Sequence, residues 1–175
     1  MKTVREKTES LTRATEVLDH RAHLLEMLYR VSRSAVDAPD SRAVIEQIGQ
    51  LLVKGLALDR VLLYLVCEDG QSLRLARTFY HPRLDEDELP AAPAVEIPLQ
   101  EGAGVTARCA LSMQPENVTD PEQHDAINRE LAKKIGINPF AVAPMAARGE
   151  LLGVLGIDRK TELGVIGDDE FQLLI

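Results

Sequence analysis

Tryptophan is absent from this chain, and all aromatic residues together make up only 3% of it, so no platform for stacking bases is available. Cysteine occurs twice, at Cys67 and Cys109, too few for a disulfide framework and in keeping with a reducing cytoplasm. Basic residues are outnumbered, 20 Lys and Arg against 28 Asp and Glu, and the formal net charge is −8. That balance argues against a nucleic-acid or anionic-membrane surface. No apolar run is long enough to cross a bilayer, and no signal-peptide pattern opens the chain. Phosphate-binding loops, zinc-finger spacings, nucleophile elbows and Ser/His/Asp constellations are missing as well. The chain is therefore expected to be cytoplasmic, to touch neither nucleic acid nor membrane, and to be non-catalytic.

What is present is an ordinary globular composition, 45% hydrophobic and 27% charged over 175 residues. One domain plus an appendage fits that length, burying roughly 70% of its unfolded surface. The stretch that organises the rest runs from Asn138 to Lys160. Two apolar runs, residues 140–147 and 151–157, flank the polar corner Arg148-Gly149-Glu150, and this reads as a β-hairpin. Neither run alternates cleanly with polar residues, so both faces of these strands are expected to be covered. Ala141, Ala143, Ala146, Gly153 and Gly156 mark places of close approach by a helix, another backbone or a ligand.

Residues 1–36 form a separate unit. Val4, Leu11, Leu18 and Leu25 recur every seven residues, and Val17, Leu24 and Val31 make an adjacent stripe. Ala14 and Leu28 fit the complementary positions, but Lys7 and Arg21 fall there too. A short coiled coil and an amphipathic helix packed on its own domain are both consistent with this. A helix that begins as the one and merges into the other satisfies both stripes.

Residues 37–175 then read as one domain. Asp37-Ala38-Pro39-Asp40 breaks the first helix, and Val44, Ile48, Leu52 and Leu56 lie on one face of the next. Strands are predicted at 60–67 and 72–80, around the Asp69-Gly70 turn, and at 95–99 and 115–119. Gly102-Ala103-Gly104 opens a short helix through Ala110. Asp120, Pro121 and Gln123 predict a capped helix start, with Ile127, Leu131 and Ile135 buried and Gly136 as its end. A final helix begins near Phe171 and is cut by the chain end at Ile175, which predicts a fragment of a longer protein.

In this order, Asp59-Arg60, the Asp-Gly hairpin, Ile97-Pro98-Leu99, the Gly-Ala-Gly helix, Val118-Thr119-Asp120 and the run from Phe140 through Gly153 resemble the GAF domain family. The resemblance covers roughly residues 24–175 and implies an α+β fold: a central antiparallel sheet of about six strands with helices on both sides, preceded by a long N-terminal signalling helix. It implies a sensor domain of a histidine kinase, chemotaxis transducer, cyclase or transcriptional activator, homodimeric through that helix. It also implies a cavity for an unidentified small molecule. The implied ligand positions are Leu63, Leu65, Ala143 and Met145 on strands, with Gly104, Thr106, Arg108, Asp120, His124 and Ile127 above them.

The cofactor is unknown: the resemblance allows haem ligation by His81 or His124, without support from their spacing. The Asn-Lys…Phe…Asp-Glu signature of cyclic-nucleotide-binding members is not matched, and neither cysteine precedes a His as in bilin-attaching members. A free methionine sulfoxide reductase-like enzyme is one alternative, carried by Cys67 and Cys109, although the cysteine-bearing motifs of those enzymes are not matched. A ligand-free dimerisation module is the other. Among the histidines, His20 and His23 belong to the first helix and His81 to a loop; only His124, with Asp120 and Asp125, is placed to form a His/carboxylate metal cluster. Asp120 serves better as a helix cap, so no metal site is expected.

Overall fold

The computed structural model describes residues 41–56, 58–84, 95–130, 132, 138–159 and 164–175, together with Thr12, Thr15, Leu18, Asp19, Ala22, Leu25, Glu26 and Tyr29. Two compact units, Met1–Leu51 and Leu52–Ile175, divide the chain within its first continuous helix. In the first unit the eight described residues before that helix are helical and exposed. The rest of the two predicted heptad stripes, with His20 and His23, lies outside the described residues.

That first helix, α1, is Ser41–Gly55. In the second unit, Leu52, Val53, Leu56 and Leu58 are buried ahead of the sheet. The strands are β1 (Arg60–Val66), β2 (Ser72–Tyr80), β3 (Glu96–Pro98), β4 (Glu116–Val118), β5 (Phe140–Ala147) and β6 (Glu150–Asp158). They form one sheet in the order β3-β2-β1-β6-β5-β4, and every pairing is antiparallel. Helix α2 is Val105–Ser112 and α3 is Asp168–Gln172. The expected hairpin is the middle of the sheet. Its turn is a two-residue corner in which Arg148 and Gly149 both have positive φ, 55° and 84°. Left-handed backbone at both positions is what the right-handed twist of a tight hairpin demands.

Side chains directly opposite each other share a face, so the register sorts the sheet. One face carries Leu62 and Tyr64 of β1, Leu73 of β2, Val142 of β5 and Val154 of β6, which cluster with Val105 of α2. The other carries buried Val61, Leu63, Phe79, Ala141 and Ile157. The alternation of side chains along β2 is broken midway. The register slips between Leu63 and Tyr64, pairing Leu63 with Arg77 but Tyr64 with Leu75. Ala76 is thus the extra residue of a bulge, and the later half of β2 faces opposite to strict alternation.

Residues 121–126 are turns rather than the predicted helix, and the helical residues there begin at Arg129. The Asp120 contacts form as expected, accepting from the Gln123 amide at 3.2 Å and its side chain at 2.9 Å. The helix does not follow, because Arg129 donates to the Pro121 and Glu122 carbonyls, at 3.4 and 2.6 Å. Those carbonyls would otherwise accept the next helical N–H groups. Leu131, Ile135 and Gly136 lie outside the described residues.

Candidate functional site

A cavity of about 80 Å³ opens between the sheet and the segments that cover it. Its floor is the face defined by Leu62, Tyr64, Phe140, Val142 and Gly156. Its roof comes from the entry to α2, Ala103 to Thr106, and from Ile127, Asn128 and Ala132. The roof is held together at one close approach: Gly104 has φ 117°, and a Cβ there would stand 3.2 Å from that of Asn128. The Asn128 side-chain amide donates to the Ala103 carbonyl at 3.4 Å across the same joint.

One end of the floor is charged. Arg60 opens β1, Asp158 closes β6, and the two are direct cross-strand partners, both buried. Arg60 Nε donates to Asp158 Oδ2 at 2.7 Å, and Nη2 donates to the same oxygen. Among the described residues, Asp158 Oδ1 has no hydrogen-bond partner. A buried acceptor left in that state costs about 1–3 kcal/mol. Burial pushes the Asp158 carboxyl above its ordinary range against the pull of Arg60. Burial also opposes charge on Arg60, but Asp158 outweighs it and holds that guanidinium above its ordinary value. Beside them, burial pushes the Tyr64 phenol up to about 12, so it remains a protonated donor.

Of the positions expected to meet a ligand, Gly104, Thr106 and Ile127 line this cavity. Leu63, Leu65, Ala143 and Met145 stand on the opposite face, one residue out of step with Leu62, Tyr64, Val142 and Pro144. Since strand side chains alternate, a shift of one residue changes the face of every position. Arg108, Asp120 and His124 lie outside the lining. Arg108 pairs with Glu116 through both Nε (3.0 Å) and Nη2, and His124 Nε2 sits 3.1 Å from Glu116. His124 also lies 3.7 Å from exposed Asp125, while Asp120 is engaged by Gln123. Among the described residues, no group of three or more His, Cys, Asp or Glu side chains is placed to hold a metal ion.

Arg60 and Asp158 were not singled out as site residues, yet their signal is in the sequence. Arg60, Leu62 and Tyr64 share a strand face by alternation, and a charge and a phenol on an otherwise apolar strand mark that face as the polar cavity wall. The cysteines are apart from this wall. Cys109 is fully buried in α2 and burial pushes its thiol up to about 12, whereas Cys67 is half-buried after β1.

A family model of the GAF domain matches residues 40–174. Among solved structures, the GAF domain of a phosphoenolpyruvate-protein phosphotransferase from Coxiella burnetii is 20% identical, with a TM-score of 0.68 over 87% of this chain and 86% of that one. A methyl-accepting chemotaxis protein, residues 122 to 287, is 18% identical, with a TM-score of 0.63 over 85% and 87% of the two chains. Free methionine-R-sulfoxide reductase from Neisseria meningitidis, in complex with its substrate, is 22% identical at a TM-score of 0.62, over 78% and 72%. At such identities the likeness is one of fold. None of the curated proteins compared matches this sequence. On the strength of the family match, which the sheet order and helices bear out, the chain belongs to the GAF domain family.

Proposed function

We propose that this chain is the regulatory, small-molecule-sensing part of a signal-transduction protein such as a histidine kinase, chemotaxis transducer, cyclase or transcriptional activator. The observation that carries the reading is the cavity, apolar over most of its wall and charged at one end. Such a combination selects and orients a small ligand. The end of β6 supplies a route for the signal. Asp158 faces the cavity, and the next residue, Arg159, reaches instead to the Leu56 carbonyl at 2.6 Å and to Glu170 of α3 at 3.2 Å and closer. Displacement of Asp158 by a ligand therefore moves the tie that holds α3. For this to regulate, the ligand must bind two arrangements of that tie with different affinity.

The reductase-like alternative draws little support from Cys109, whose buried thiol is not a thiolate near neutral pH. A homodimer through the N-terminal helix belongs to the proposal. Leu18, Ala22, Leu25 and Tyr29 follow the four-three-four spacing of a coiled-coil seam and are exposed.

Thermal-shift screening against a metabolite library, followed by hydrogen exchange with each stabilising compound, tests the reading. A sensor shows altered protection at Asp168–Gln172 when the cavity is filled. Stabilising compounds that protect the cavity walls and leave α3 untouched would contradict the relay.

A further inference from the structure

We infer that the Arg60–Asp158 pair is the polar anchor of the cavity and takes the uncharged N–H donor of a compact, otherwise aliphatic molecule, in the simplest case a primary amide. The inference rests on the sensory reading and names the ligand class for that site.

Size comes first. The cavity is small, about 80 Å³, where an enclosed cavity of roughly 150 Å³ takes one benzene, so the part of the ligand that it holds is compact. Charge comes second. Arg60 and Asp158 already neutralise each other at hydrogen-bond distance, so an anion would meet Asp158 and a cation would meet Arg60 without net gain. The favoured head group is therefore neutral.

Hydrogen-bond demand fixes its polarity. The two bonds that Arg60 makes to Asp158 both end on Oδ2, and among the described residues Oδ1 is left without a donor. In this conformation Oδ1 is closed to solvent. Turning the carboxylate about its Cβ–Cγ bond brings an oxygen to the cavity, and Arg60 must shift with it to keep its bonds. A ligand N–H then supplies the missing bond. The body of the ligand lies against Leu62, Ile127, Phe140 and Val142, all apolar.

Matched probes separate the anchor from the cavity. Isovaleramide and 4-methyl-2-pentanone have the same branched body and carbonyl, and differ by an NH₂ in place of a CH₃. Isovalerate adds a negative charge and removes the donor. Each is titrated into the full chain while the methyl resonances of Ile127 and Val142 are followed by NMR. All the neutral probes are expected to move both signals, with the amide bound about tenfold more tightly than the ketone, as one hydrogen bond to a charged acceptor would give. Isovalerate is expected to bind most weakly. Asp158→Asn should erase most of the preference for the amide, and the wild-type ratio decides the matter even if that variant fails to fold. A ketone that binds as well as the amide, or an acid that binds best, overturns the anchor and leaves the cavity standing. If no probe moves the methyl signals at millimolar concentration, the anchor and its ligand class fall, while the sensory reading is decided by the metabolite screen.

Discussion

Two glycines three residues apart in β6 show how a single atom decides tolerance. A Cβ on Gly153 would lie 2.0 Å from the Tyr64 carbonyl oxygen and 2.9 Å from the Met145 methyl, so β1 would have to move. Gly153→Ala is expected to cost about 2–3 kcal/mol in chemical denaturation. On Gly156 the nearest atoms stand at 3.8 Å, ordinary contact, and Gly156→Ala should change stability by less than about 1 kcal/mol. Equal losses at the two positions would refute the packing described. The buried phenol and thiol make a second prediction. Tyr64 is raised from 10.0 to about 12 and Cys109 from 9.0 to about 12 by burial. The folded chain thus keeps protons that the unfolded chain releases, and stability falls as pH rises through this window. Tyr64 alone accounts for about 2–3 kcal/mol of that fall. Urea denaturation near neutral pH and at about pH 11 should show a smaller alkaline loss for Tyr64→Phe than for the wild type; identical losses would contradict it. At this scale the sequence was only half legible. Gly153 was marked as a close approach, but the run Val61-Leu62-Leu63-Tyr64-Leu65 is apolar on both faces except for the Tyr64 hydroxyl. Pattern alone cannot say which half of it meets the cavity, and only the polar residues in step with Leu62 give the face away.

Elements were more legible than faces where local chemistry is strong. The Asp69-Gly70 and Arg148-Gly149 corners set β1–β2 and β5–β6, and both hairpins formed where turn residues interrupt apolar runs. The failure at 121–126 has a different origin. Asp120, Pro121 and Gln123 supply the local start of a helix, and Arg129, several residues away, takes the carbonyls that would continue it. Such competition is invisible to a cap motif. The bulge at Ala76 was equally hidden, because it is a property of the pairing between β1 and β2 rather than of either strand. At the other end of the domain α3 is only five residues long and depends on one side chain. Glu170 accepts from Arg159 and, through Oε2, from the Gly167 amide at 3.0 Å. The Arg159 and Glu170 side chains are only 11% and 12% exposed. Glu170→Ala, leaving a guanidinium largely buried without its partner, is expected to destabilise the domain by about 3 kcal/mol. Hydrogen exchange should place the first loss of protection at α3, ahead of the sheet. Loss beginning in β6 or β1 would mean that the tie does not hold the helix.

Considered whole, the second unit is a sheet with one wall turned to a cavity and one residue, Arg159, joining the end of that wall to the last helix. The first unit adds an exposed apolar seam. Leu18 and Leu25 are each 66% exposed and Tyr29 64%, more than large apolar side chains on a finished surface usually are. Replacing Leu18 and Leu25 with Arg should turn a dimer into a monomer in sedimentation analysis, with the fold of the second unit unchanged. A wild-type chain that sediments as a monomer would remove the homodimer from the account. The central claim, that the cavity is there to be filled, is tested most directly by native mass spectrometry of freshly purified wild type beside Gly156→Leu. Position 156 lines the cavity and has room at its Cβ, so leucine fills the space a ligand would occupy while the strand stays in place. The account predicts added small-molecule mass on the wild type, retained from the cell or taken up from a stabilising compound, and its loss from the variant. The same bound mass on both proteins, with the variant folded, would contradict it.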